Sequence, residues 1–376
     1  MDSSFTITPR FSIKLLEKAL RLYTPSLSEK PMAEFLADKC DDLGFENVHI
    51  DEVGNLIATI GSGSPRVLLC GHMDTVPGKV KVRKEGDYLY GRGASDAKAP
   101  LMAMLLAAST MHRNNGTIIF VGAVDEKGNA TGIKSLAKQK LAIDYAVFGE
   151  PSGITQVTIA YKGRIAINLK VNVGDSAHAS APWLAKNAIE ESMKFTYELK
   201  QALEENQEGK SKGMILTATM TEIRGGDSHN VTPKECDTIM DIRIPVTMNC
   251  KMVGEKISSK VSEISKRLGV DAFYSVLDET EPFEAPMDSP LVRAFTLGVM
   301  DVERKRPALI RKTGTGDMNI IGTLWNIPVV TYGPGDPHAS HTMDERVSMN
   351  EYLRGIEVLR NTLQHLKRLH DNKKES

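Results

Sequence analysis

Hydrophobic and polar positions along the first half of this chain switch between two periods. Over 11–46, Ile13, Leu16, Ala19 and Leu20 recur at helical spacing and Pro25 interrupts them, which predicts amphipathic helices broken at 24–26. Three apolar runs bounded by turn residues read as strands: NLIATIG (55–61), RVLLCGHMD (66–74) and TIIFVGAVD (117–125). Helical stretches at 98–113 and 131–140 and a strand YAVFGE (145–150) continue the alternation. The pattern predicts an α/β domain in which a mixed sheet is covered by helices. Acidic and imidazole groups recur at the ends of these strands, where open α/β sheets place ligands.

From about 165 to 285 the pattern becomes strand, helix, two strands, helix, strand: RIAINLKVNV, PWLAKNAIEESMKFTYELKQAL, MILTATMTEI, CDTIMDIRIP, a helix near 253–268, and VDAFYSVL. That order resembles a ferredoxin-like α+β module inserted into the first domain. The expected division is therefore 1–165 and 286–376 for one domain and 166–285 for the insert. The polar tail HDNKKES reads as irregular.

Composition agrees with two domains, since 376 residues with 41% hydrophobic positions can bury a substantial core. A net charge of -1 gives no support to a polyanion-binding role, and the basic runs KVKVRK (79–84) and ERKR (303–306) read as solvated faces. Cys40, Cys70, Cys236 and Cys250 are scattered without CxxC spacing, which fits a reducing compartment. The first residues lack the apolar core of a signal peptide and no run reaches a membrane span, so the cytoplasm is the expected location.

The candidate chemistry lies in five segments. GHMDTVPG (71–78) delivers His72 and Asp74 two positions apart on a strand end, on one face, as suits an imidazole ligand and the carboxylate that fixes its tautomer. YGRGASDAKAP (90–100) holds Asp96 on a glycine-rich turn, where its two oxygens could bridge two ions. VDEKG (124–128) and FGEPSG (148–153) end apolar strands, and the Gly/Pro-rich YGPGDPHASHTMDERV (332–347) carries His338 and His341. Singly, each has an ordinary reading: a satisfied histidine, an aspartate capping a helix, a solvated carboxylate. Taken together, mixed imidazole and carboxylate donors suit zinc, manganese or cobalt better than magnesium or calcium. No GxSxG elbow or cysteine nucleophile motif is present, and TGTGD (313–317) lacks the lysine of a phosphate loop.

These ordered motifs closely resemble the acetylornithine deacetylase and succinyl-diaminopimelate desuccinylase family of metallohydrolases. The resemblance implies that His72 and Glu150 bind one ion, Asp96 bridges, His341 binds a second, and Asp74 orients His72. The inserted module would be the family's lid and dimerisation domain, with His178 in DSAHAS stabilising the tetrahedral oxyanion from a partner subunit. One departure stands out. The family commonly reads Asp-Glu-Glu where this chain has Asp125, Glu126 and Lys127. Without a gap Glu126 is the general base, and Lys127 replaces a ligand. A register shifted by one residue would instead make Asp125 the base and Glu126 the ligand. A cation in place of an anion beside the ions costs roughly 4 kcal/mol per unit charge at about 4 Å and an effective dielectric near 20. The second ion should therefore bind weakly unless Lys127 points away.

Within the family, GAVDE, DYAVFGEPSG, AYKGR and RKTGTGDMN look like the branch that frees lysine or ornithine from the C-terminal glutamate of an acidic amino-group carrier protein. That implies one or two zinc or cobalt ions per subunit, a homodimer and a macromolecular substrate. Lys162, Arg164, Arg311 and Lys312 are then candidates for a basic rim or carboxylate clamp. Arg243 and Asn230 would face substrate oxygens, and Thr313 would lie in a turn beside the substrate. The alternatives are a small-molecule N-acyl-amino-acid deacylase or dipeptidase with the same site, and a non-catalytic binding protein on the same fold.

Overall fold

The computed structural model describes residues 7–139 and 141–375. In chain order the first elements are α1 (Pro9–Arg21), α2 (Lys30–Asp42), β1 (Glu46–Ile50), β2 (Leu56–Ser62), β3 (Arg66–His72), β4 (Arg83–Glu85), β5 (Tyr88–Tyr90) and α3 (Lys98–Ser109). There follow β6 (Gly116–Ala123), α4 (Thr131–Lys138), β7 (Tyr145–Gly149), β8 (Gln156–Tyr161), β9 (Gly163–Asn172), α5 (Ala188–Glu204), β10 (Thr217–Gly225) and β11 (Glu235–Ile244). The remainder comprises α6 (Cys250–Leu268), β12 (Asp271–Thr280), β13 (Phe283–Glu284), α7 (Pro290–Glu303), β14 (Ala308–Lys312), α8 (Asp317–Trp325), β15 (Val329–Thr331), β16 (Arg346–Ser348) and α9 (Met349–Glu375).

Two compact units result, one running to Ile159 and taking in Glu284–Ile310 and everything from Ile320, the other formed by Ala160–Phe283 and Arg311–Asn319. Among the described residues, nine strands make the main sheet in the order β1, β2, β6, β3, β7, β15, β8, β13, with β14 paired to β8. β3 lies parallel to both β6 and β7 and is buried along RVLLCGH after Arg66, as a continuous apolar run between two neighbours should be. The register sets His72 opposite Ala123 and Gly71 opposite Gly149. The segments leaving β6 and β7, which carry Glu126 and Glu150, therefore emerge beside His72.

Helix α3 is apolar all round and buried from Lys98 to Ala108, packing against α1, α9 and β3. Its first residue, Lys98, donates from Nζ to the carbonyls of Ala19 (3.2 Å) and Leu22, which satisfies acceptors left open at the end of α1. Burial pulls the Lys98 ammonium down to about 7.

The second unit is an antiparallel sheet in the order β10, β11, β9, β12, matching the ferredoxin-like order read from the sequence. Ile165, Ile167, Leu169 and Val171 of β9 pack with Phe195 and Leu199 of α5 and Val253 and Ile257 of α6, so one face of the sheet is covered by helices. Phe273, Val276 and Leu277 of β12 stay exposed.

Some elements carry no local signal. The edge strand β1 is almost wholly exposed, and β4, β5 and β16 are three-residue strands joined in a small separate sheet. The tail expected to be irregular instead continues α9 to Glu375. A buried anchor accounts for that: His370 lies 2.8 Å from Ser64 Oγ and 3.1 Å from the Tyr145 hydroxyl. Among the described residues no helix is long and apolar enough to cross a membrane.

Candidate metal centre

The end of β3 supplies the first two groups. His72 is 2% exposed and Asp74 fully buried. His72 Nδ1 sits 2.8 Å from the carbonyl oxygen of Asp74 and 3.4 Å from its Oδ1, which fixes the ring and aims Nε2 at the other donors. The Asp74 carboxylate has a further task. Its Oδ1 accepts the Glu126 amide (3.1 Å), and its Oδ2 accepts the Lys127 amide (2.9 Å) and the Ser26 hydroxyl (2.7 Å). Asp74 thus pins the loop after β6 as well as facing the imidazole.

Asp96 comes from the turn between β5 and α3. Its Oδ1 is 3.0 Å from His72 Nε2 and its Oδ2 is 2.7 Å from His341 Nε2. Glu345, to which the sequence motif attaches no role, organises this turn. Its Oε1 accepts the amides of Gly93, Ser95 and Asp96 at 3.0–3.1 Å, while its Oε2 pairs with Arg92 at 2.7 Å. Glu345 stands just before β16, which pairs with β5, so the small sheet delivers a buried carboxylate to the turn from more than two hundred residues away. Gly93 has φ +86 and a Cβ there would press on the Lys98 side chain at 3.0 Å, so a glycine is required.

The loop after β6 turns Asp125, Glu126 and Lys127 in different directions. Asp125, at φ +59, turns its carboxylate back onto the Asn129 amide (3.2 Å) and the Thr131 hydroxyl (2.5 Å), and gives its own amide to Glu29 (2.9 Å). A Cβ at Gly128 would lie 2.1 Å from Asp125 Oδ1, so this tight turn also needs its glycine. Glu126 is the residue that faces the imidazole, with Oε2 3.9 Å from His72 Nε2, and Glu150 approaches from β7 with Oε1 at 3.7 Å. Lys127 points inward. Its Nζ lies 3.0 Å from Asp96 Oδ1 and 2.7 Å from Glu126 Oε2, with the side chain 16% exposed. His341 is half exposed and sits at φ +66, a conformation uncommon for a residue with a side chain. His338 pairs with nearby Asp336 on the surface.

A divalent ion fits the inner part of this cluster. Donor atoms of His72, Glu126 and Glu150 all lie within 4.8 Å of one another, with Asp96 Oδ1 against His72. The electrostatics agree. Burial and the Lys127 charge oppose a proton on His72, yet contacts with Asp74 and Asp96 and the charge of Glu126 carry its pKa well above the usual value. Burial pushes Glu150 up to about 7, with Asp96 and Glu126 adding to the rise and Lys127 and His72 opposing it. Asp96 is buried too, but hydrogen bonds to His341 and His72 hold it well below the usual carboxylate range. Proton uptake by His72 and Glu150 marks an excess of negative charge that a cation would neutralise.

The residues expected to meet substrate belong to the second unit. His178 is exposed, its Nδ1 2.7 Å from Ser180 Oγ, and Asn230 and Thr313 are exposed as well. Arg164 and Arg243 both pair with Asp241, at 2.6 Å and 2.5 Å, and Arg243 also reaches Thr315 at 3.4 Å. Arg164 further pairs with Asp278 at 2.9 Å. Lys162 is 2% exposed, and burial together with the neighbouring Arg243 charge lowers its pKa.

Residues 68–365 match peptidase family M20/M25/M40, a span that runs from β3 through all the centre's donors into α9. The chain belongs to that family. It is a hydrolase of the metal-dependent amidohydrolase and peptidase type. One relative, from Saccharolobus solfataricus, is named a LysW-lysine/LysW-ornithine hydrolase and is 30% identical over 347 residues, covering 92% of this chain and 93% of its own. A second, from Thermococcus kodakarensis, is provisionally named for the same activity and is 34% identical over 361 residues, covering 96% of this chain and 94% of its own. Among solved structures, aminopeptidase PepT from Bacillus cereus superposes with a TM-score of 0.81 at 20% identity, covering 96% of this chain and 99% of its own, which speaks for the fold.

Proposed function

We propose that this M20 family member hydrolyses the amide linking lysine or ornithine to the C-terminal glutamate of a small acidic amino-group carrier protein, as a step in lysine or arginine biosynthesis. The observation that carries the reading is similarity over nearly the whole chain to relatives named for LysW-lysine and LysW-ornithine. Zinc or cobalt as the ion, a cytoplasmic location and a homodimer built through the second unit belong to the same proposal.

His72, Asp96 and Glu150 would hold the ion, which supplies Lewis acidity to the scissile carbonyl and lowers the pKa of water. Glu126 takes the proton of the attacking water and returns it to the leaving α-amine, a task for a carboxylate beside the cation rather than within a turn. Asp74 holds Glu126 in place through the loop amide. His178 would donate to the developing oxyanion in the partner subunit's site, and Arg243, Lys162, Arg164, Asn230 and Thr313 would engage substrate carboxylates and the carrier's acidic surface.

The test is hydrolysis of the lysine and ornithine conjugates of the carrier protein by enzyme stripped of metal and reloaded with zinc or cobalt. Turnover of either conjugate is expected. Cleavage of acetylornithine or simple dipeptides with neither conjugate turned over would replace the carrier-protein reading by a small-molecule deacylase or dipeptidase.

A further inference from the structure

We infer that Lys127 leaves the position for a second metal ion one ligand short, so that the centre holds a single divalent ion. The inference rests on the centre being a metal site but not on the identity of the substrate. A second ion would need donors on the outer side of Asp96, where Asp96 Oδ2 and His341 Nε2 stand 2.7 Å apart. Lys127, which stands where the resembling family's motif has a further ligand, turns its Nζ instead to the other oxygen of Asp96, 3.0 Å from Oδ1, and to Glu126 Oε2 at 2.7 Å. An ammonium has three donor hydrogens and no lone pair, so it cannot ligate while charged.

The backbone leaves Lys127 no easy way out. Its amide is bound to the buried Asp74 carboxylate at 2.9 Å, and the residues on either side are tied down by Asp74 and by the turn at Gly128. Charge balance points the same way. Asp96, Glu126 and Glu150 are matched by one ammonium and one divalent ion, whereas a second divalent ion would leave a strong positive excess in a mostly buried site. Lys127 thus ties Asp96 and Glu126 down without a second metal.

Metal content decides the matter without any substrate. Protein stripped with a chelator, reloaded with excess zinc and desalted should carry one zinc per chain by elemental analysis and native mass spectrometry. Lys127→Glu, which supplies a carboxylate at the same corner, should carry two. Two ions in the wild type, or one in a folded Lys127→Glu protein, would overturn the inference, and none in the wild type would remove the metal centre itself. Should the variant fail to fold, zinc anomalous scattering from wild-type crystals decides: one peak with Lys127 Nζ beside Asp96 is expected, and two peaks with Lys127 turned outward refute it. Loss of carrier-conjugate turnover with one zinc bound would count against the proposed substrate alone.

Discussion

The metal centre of the first unit and the proposed substrate groups of the second are constructed on opposite principles. Asp74, Asp96 and Glu345 are buried, and each carboxylate is held by several named partners. His178, Asn230 and Thr313 are exposed with local partners at most, and Arg164 and Arg243 share the one carboxylate of Asp241. The first arrangement is preorganised, with orientation settled during folding, as a centre that stabilises developing charge requires. The second leaves groups free to meet a partner, as recognition of a large substrate requires. Changes in the first should therefore strike stability and metal binding, and changes in the second should fall on substrate and transition-state contacts with stability and metal binding unmoved.

The sharpest break should come from Glu126→Gln. It removes the proposed base but keeps the loop amide on Asp74, so hydrolysis should fall by about 10²–10⁴-fold, the usual worth of a positioned proton carrier, while zinc content stays unchanged. Glu345→Ala should act through structure instead. It strands the buried Arg92 and three amides, so chemical denaturation should show a loss of about 3–5 kcal/mol, with metal affinity weakened about 10–100-fold. His178→Ala should lower kcat by about 10²-fold, as expected for losing an oxyanion donor, with melting temperature and zinc content unmoved. The mildest effect should come from Arg243→Lys, which keeps charge but loses the planar fork and should raise KM about tenfold with kcat nearly constant. A collapse of zinc content in His178→Ala, or a pure KM effect in Glu345→Ala, would break the division between the two regions.

Much of this was legible from sequence because strand ends carry their own signals. RVLLCGHMD, TIIFVGAVD and YAVFGE are apolar runs that stop at a functional group, and the parallel register places their ends side by side. The alternation over 165–285 likewise yields the order of β9, α5, β10, β11, α6 and β12. Two things were hidden. The direction of Lys127 depends on the Asp74 carboxylate taking two consecutive amides, and no spacing rule encodes that. The role of Glu345 depends on pairing between two three-residue strands far apart in the chain. The only trace of it is a lone glutamate preceding a short RVS segment. The tail was misread because His370 looks polar in sequence while its ring is buried against Tyr145.

The pairing of β5 with β16 also bears on the order in which the protein comes together. His72 and Asp96 are made early, but the carboxylate that holds the Asp96 turn and the imidazole facing it are made some 250 residues later. Until then Arg92 and the turn amides lack their buried partner, so a nascent chain holding only the first two-thirds of the sequence has strands but no finished centre. Long-range closure of this kind is slow to form in folding. Hydrolytic competence is therefore a late event in the life of each chain, withheld until the segment leading into α9 has docked.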